Sequence, residues 1–258
     1  MKRTSRARLS ATAAVGALSL ALITGCSDEG SKDSGDSKGS GSGSSAKALS
    51  TADLDKLLLA AGDLKGYKME SGDDTLPKSK DEVETDKSEC APLVYTNGAL
   101  APGDTDASVS NTVTQEPPTD VPTDPAELTE GSLEDAMRVA VTFVGLSSYE
   151  GDGAEKAMKA VSDGVKDCSG GFSMTAEGET SRVTKVSEVK ASGQGDESVA
   201  FDEEVDADGE GTATFRTEVV RKGNTVATFY TIDFAALSSG KAAEIPAAVI
   251  EAQVGKLK

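Results

Sequence analysis

The sequence predicts an α+β domain, a twisted and mainly antiparallel sheet of six to seven strands with about three helices packed on it. Two observations carry this. From Phe172 to Phe234 apolar residues recur at the two-residue strand period. Stretches around Leu54, Met158 and Ile250 instead carry apolar stripes at helical spacing, and such stripes need a sheet to cover them.

Residues 1–25 precede that domain as a secretory signal. Lys2, Arg3, Arg6 and Arg8 stand without an acid before an apolar run from Leu9 to Ile23. At about fifteen residues the run is short of the roughly twenty that span a bilayer. It ends in Ile23, Thr24, Gly25 and Cys26, which reads as a lipobox. Ile23 is a poor residue for an ordinary signal peptidase, whereas a lipoprotein peptidase favours an aliphatic residue there. The pattern resembles bacterial lipoprotein precursors. That resemblance implies diacylglycerol on the Cys26 sulfur, palmitate-type chains, and a mature N-terminus at Cys26 on the outer side of the cell membrane. Two lipid chains hold durably at about 0.8 kcal/mol per buried CH2. Residues 26–47 follow as a Gly- and Ser-rich tether, with no aromatic residue and, as far as Ala46, no aliphatic side chain larger than Ala, so they cannot fold alone. Residues 48–258 form the folded domain.

Composition narrows the function. Losing residues 1–25 removes four of 26 basic residues and none of 44 acidic ones, leaving a mature net charge of −22. Nucleic acid is excluded as a partner on that charge, and anionic lipid headgroups repel the domain. The chain has no His, which removes Ser-His-Asp and Cys-His catalysis and HExxH zinc sites together. With Cys26 assigned to lipid, Cys90 and Cys168 remain, and in an oxidising compartment they are expected to pair.

In chain order, Ser50 and Asp53 open a helix with Leu54, Leu57, Leu58 and Ala61 on one face, and Gly62 stops it. Tyr67 to Glu70 is a short extended segment, and residues 71–87 are expected as loop. SECAPLVYT fits one or two helical turns at Cys90. Val109, Asn111 and Val113 alternate as a strand. Pro117, Pro118, Pro122 and Pro125 then impose a loop. AMRVAVTFVGL is apolar in both parities and reads as a central strand covered on both faces. Ala154, Ala157, Met158, Val161 and Val165 define an amphipathic helix ending near Cys168, with Gly170 and Gly171 as its stop. Three strands follow, through Val183 and Val189, through Val199, Phe201 and Val205, and through Ala213, Phe215 and Val219. A two-residue turn at Lys222 and Gly223 would make the hairpin set Val219 against Val226 and Phe215 against Tyr230. A last helix starts near Pro246 and carries Val249, Ile250, Val254 and Leu257.

Candidate sites are few. Glu204 to Gly211, EVDADGEG, spaces acids as half of a calcium loop, but Phe215 falls where a bidentate Glu is required, so an acidic turn around Asp206 is the better reading. Arg221 and Lys222 beside Gly223 are basic enough to meet an anion, or are solvated turn residues. No nucleotide, hydrolase or redox motif occurs. No metal, cofactor or catalytic residue is expected, and no ligand-binding residue is assigned.

LLLAAGDLKGY, SECAPLVY, SYEGDGAEKAMKAVSDGVKDCSGGF, GDESVAF and VVRKGNTVATF, in that order, resemble the extracellular sensor domain of PknH-like receptor kinases and the actinobacterial lipoproteins that carry this module alone. The resemblance implies an antiparallel sheet flanked by helices, with a cleft for a small ligand or envelope component. The kinase sensors have two disulfides, whereas only Cys90 to Cys168 is open to this chain. The expected function is therefore non-enzymatic: a membrane-anchored, extracellular, sensor-like domain binding a small apolar or mixed ligand. The alternative is a structural module docking another envelope protein.

Overall fold

The computed structural model describes residues 47–71, 76–105, 107–117, 139–176, 178–206, 211–233, 236 and 242–257. The lipobox, most of the tether, three prolines of the 117–125 loop and residues 207–210 of the acidic turn lie outside them. Among the described residues the chain forms nine strands: β1 Tyr67–Ser71, β2 Val83–Thr85, β3 Ser108–Gln115, β4 Ala140–Ser148, β5 Phe172–Ala176, β6 Glu179–Val189, β7 Glu197–Asp206, β8 Thr212–Lys222 and β9 Thr225–Asp233. All neighbouring pairs are antiparallel in one sheet, ordered β1-β3-β4-β9-β8-β7-β6-β5-β2. The expectation of six to seven strands is too low, and 83–85 is strand rather than loop. β2 is short and polar, anchored by buried Val83 alone, which suits a sheet edge that must not recruit further strands.

Among the described residues four helices cover the sheet: α1 Thr51–Asp55, α2 Ala91–Asn97, α3 Gly153–Asp167 and α4 Ala247–Lys256. About three were expected, and the SECAPLVYT segment supplies the fourth as a 3-10 turn at Ser88–Cys90 running into α2. α2 and α3 lie on one face, where Leu93, Val94, Met158 and Val161 pack on Phe172, Val186, Phe201, Val219 and Val226. α1 and α4 lie on the other, where Leu54, Val249, Ile250 and Val254 pack on Val113, Val144, Leu146, Val220 and Phe229. β4 is covered on both faces: Val144 and Leu146 enter the α1/α4 core, while Phe143, in the other parity, is buried and stacks on Tyr230, so both parities are apolar. Cys90 and Cys168 are disulfide-bonded with Cα atoms 5.9 Å apart, joining the start of α2 to the end of α3.

Three local features depart from simple periodicity. The hairpin turn is Gly223–Asn224, not Lys222–Gly223, so Val219 faces Thr228 and Val220 faces Ala227. Gly223 at φ 59° takes the first central position, as a type II′ turn requires, and Asn224 Nδ2 is anchored on the carbonyls of Lys47 and Tyr149. The register moves by two residues, so each side chain keeps its face. In β6, Val183 and Val186 are both buried on the same core although three residues apart. A bulge between Val183 and Lys185 resolves that parity conflict. Finally, α1 ends at Asp55 instead of continuing to Ala61.

The early end of α1 has a tertiary cause. Ser50 caps it, its Oγ accepting from the Asp53 amide at 3.3 Å. Beyond Asp55 the backbone is claimed from outside. Gln253 Nε2 donates to the Leu57 carbonyl at 2.8 Å, Lys256 Nζ to that of Leu58 at 2.7 Å, and Asn111 Nδ2 to that of Leu59 at 2.7 Å. The Leu59 amide in turn donates to Gln253 Oε1 at 3.0 Å. Residues 57–59 thus become a strap laid across the sheet, with Leu58 and Leu59 buried.

Candidate ligand site

Of the residues singled out from sequence, Cys90 and Cys168 meet, while Ile23, Thr24, Gly25 and Cys26 lie outside the described residues. Glu204 sits on β7 with its carboxylate taken by Lys185 at 2.9 Å. Among the described residues no group of three acids, Cys or His is placed to hold a metal ion. Arg221 is committed to Glu197 at 3.3 Å, Asp196 at 3.6 Å and the Gly223 carbonyl at 3.1 Å. That leaves its side chain little capacity for an outside anion.

Two positions that the sequence reading did not single out as sites are more informative, and both stand where a strand points its apolar residues. Asn111 occupies the inward parity of β3 between Val109 and Val113. Glu203 occupies that of β7 between Phe201 and Val205. The alternation was the signal, since a polar residue at an inward position must find partners or leave a buried atom unsatisfied. Each leaves one: Asn111 Oδ1 and Glu203 Oε1 have no hydrogen-bond partner among the described residues.

Glu203 belongs to a closed cluster on the α2 face. Asn97 Nδ2 donates to its Oε2 at 2.6 Å, and Thr217 Oγ1 donates to Asn97 Oδ1 at 3.1 Å. Cross-strand neighbours carry the rings of Phe143, Tyr230 and Phe215, with centroids 6.1 and 5.8 Å apart. Burial pushes the Glu203 carboxyl up to about 7, against the pull of the Asn97 hydrogen bond. Burial, then proximity to Glu203, also raises the Tyr230 phenol above its ordinary value.

Asn111 belongs to an open site on the opposite face. It is one of the residues lining a cavity of about 450 Å³ between the 57–59 strap and edge strand β1. The size suits a small-molecule site. Leu58, Leu59 and Met69 supply apolar wall, Ala60 and Ala61 the mouth, and Asp55 and Ser71 the polar rim. The register sets Met69 opposite Val113 and Ser71 opposite Asn111, so these side chains share the face. Glu70 alternates to the other side and borders the cavity at the strand edge. Asn111 is 4% exposed. One Nδ2 hydrogen goes to the Leu59 carbonyl, and Oδ1, without a partner among the described residues, has almost no accessible surface. A second depression of about 330 Å³, between β2 and α2 and lined by Val83, Val94 and Tyr95, has no unsatisfied buried side-chain atom.

No protein-family model and no curated protein matches the chain. Among solved structures it is similar to the extracellular domain of PknH from Mycobacterium tuberculosis, at 15% sequence identity and a TM-score of 0.47, over 82% of this chain and 96% of that one. At that score the likeness carries no functional weight.

Proposed function

We propose that the chain is a lipid-anchored, extracellular binding protein of the sensor-like type, and that its ligand site is the cavity over Asn111. The observation that carries the reading is the cavity itself, about 450 Å³ between the 57–59 strap and β1, whose lining mixes apolar Leu58, Leu59 and Met69 with polar Asp55, Ser71 and Asn111. The reading is supported by the export signal and lipobox, and by a disulfide suited to an oxidising compartment. Under it, Cys26 fixes the protein to the outer face of the membrane, the tether gives it working distance, and the bound molecule is a small envelope or environmental compound.

Native mass spectrometry of protein extracted from its own membranes is expected to show a co-purifying small molecule. Ala61→Trp, which fills the mouth from an exposed position, should abolish that adduct without lowering the melting temperature; an unchanged adduct would remove the cavity from consideration. The anchor has a separate test. Cys26→Ser should release the protein from the membrane fraction and end incorporation of labelled palmitate, and persistent labelling of the variant would refute the assignment.

A further inference from the structure

We propose that the free edge of β1 is a self-association surface, on which two copies of this chain pair their β1 strands antiparallel about a two-fold axis at Met69. The inference is independent of what the cavity binds. The Glu116 amide donates to the Gly66 carbonyl at 2.8 Å. With Tyr67 opposite Gln115, that bond fixes the phase of the β1–β3 ladder: Lys68 and Glu70 spend their backbone groups on β3, while those of Tyr67, Met69 and Ser71 point out of the sheet. No other described residue takes them. A two-fold at Met69 satisfies every one of these groups, since Met69 exchanges hydrogen bonds with its own copy and Tyr67 with Ser71, in both directions.

Charge selects this register. Lys68 and Glu70 are exposed, share the face of β1 turned away from α1 and α4, and have no ion-pair partner among the described residues. The same axis sets Lys68 of each copy opposite Glu70 of the other, at the non-hydrogen-bonded positions where Cα atoms approach to about 4.5 Å. The far edge of the sheet behaves differently. β2 is Val83–Thr85, and a two-fold at its centre would put Glu84 against Glu84. The strongly negative net charge opposes association at long range, but at about 0.15 M salt it is screened beyond about 8 Å, which spares the paired charges. On the α1/α4 face Met69 meets Met69, and Tyr67 of the second copy stands opposite Ser71. Because Met69 and Ser71 line the cavity, pairing adds an aromatic wall beside it.

Sedimentation velocity of the full mature chain carrying Cys26→Ser, run over a concentration series at about 0.15 M salt, tests the pairing. A strand edge of five residues is a small contact, so reversible dimers with a Kd on the order of 0.1 mM are expected. Lys68→Glu and Glu70→Lys each set like charges opposite one another and should weaken dimerisation about tenfold. The double exchange Lys68→Glu with Glu70→Lys rebuilds both ion pairs and should restore the dimer. Met69→Cys, treated with oxidised glutathione, should give a disulfide-linked dimer, because a hydrogen-bonded pair holds its Cα atoms about 5.5 Å apart. Lys68→Cys should not, since its opposite number is Glu70. A monomer at every concentration, or dimers that both single exchanges leave unchanged, would overturn the proposal. A double exchange that stays monomeric would overturn the register, and species larger than a dimer would overturn the two-fold arrangement.

Discussion

Glu203 shows how one misplaced carboxyl can make a fold sensitive to pH. Its ordinary value of 4.5 rises to about 7 in the native state, so the folded chain holds the proton more tightly than the unfolded chain. The stability this contributes is fully present below about pH 4.5 and is lost as pH rises through 7. The loss amounts to about 3 kcal/mol by linkage. Glu203→Gln, which imitates the protonated acid, should therefore be the more stable protein at pH 8 and equal to the parent at pH 4. Urea denaturation at both values checks this, and parallel curves at the two pH values would refute it. Both Glu203 and Asn111 could be placed from the sequence alone, since each breaks an apolar alternation in a strand. What the alternation could not say is that Asn97 closes over Glu203 and the 57–59 strap over Asn111. That depends on α2 and on the 57–59 strap, which the strands do not encode.

The elements divide by whether their limits are set locally. α3, with five apolar residues on one face and a glycine at φ 81° beyond its end, was legible because its stripe and its stop are its own. β4 was legible for a similar reason, with β-branched and aromatic residues in both parities. α1 was not, because Gln253, remote in sequence, takes the Leu59 amide and the Leu57 carbonyl that a helix reaching Ala61 would have used. The bulge in β6 is likewise tertiary. It lies against Gly171, where an added Cβ would stand 2.2 Å from the Val183 carbonyl oxygen. Gln253 is fully buried and bonds the strap twice, so Gln253→Leu strands the Leu59 amide and the Leu57 carbonyl together. At about 1–3 kcal/mol for each unsatisfied group, a loss of about 3 kcal/mol is expected. The same variant should lose amide protection at Leu59 in hydrogen exchange; retained protection there would show that the strap is held by its leucines.

Across the whole molecule, the two cores are secured differently. Cys90–Cys168 ties α2 to α3 over one face, closing a loop of 78 residues, whereas α1 and α4 are held on the other by packing and hydrogen bonds. Replacing both cysteines by Ala should cost about 4 kcal/mol on the chain-entropy account. Amides of α2 and α3 should then lose more protection than those of α4, and uniform loss over both faces would show that the two cores unfold as one. The sheet order has a further mechanical consequence. β1 and β2 are successive strands of the chain, yet they form opposite edges of the sheet. Laid flat, eight strand spacings of about 4.8 Å would part them by about 38 Å. From Ser71 to Val83 there are about twelve peptide steps, reaching at most about 42 Å when fully drawn out. Three of those residues are coiled into the Lys80–Glu82 3-10 turn, at about 2 Å per residue. The connection must also pass Gly98 and Gly103, which Pro77 and Lys80 touch on the α2 side. It is therefore a drawstring: the sheet has to curl until its two edges come within the cord's length, and the cord limits how far the sheet can ever open.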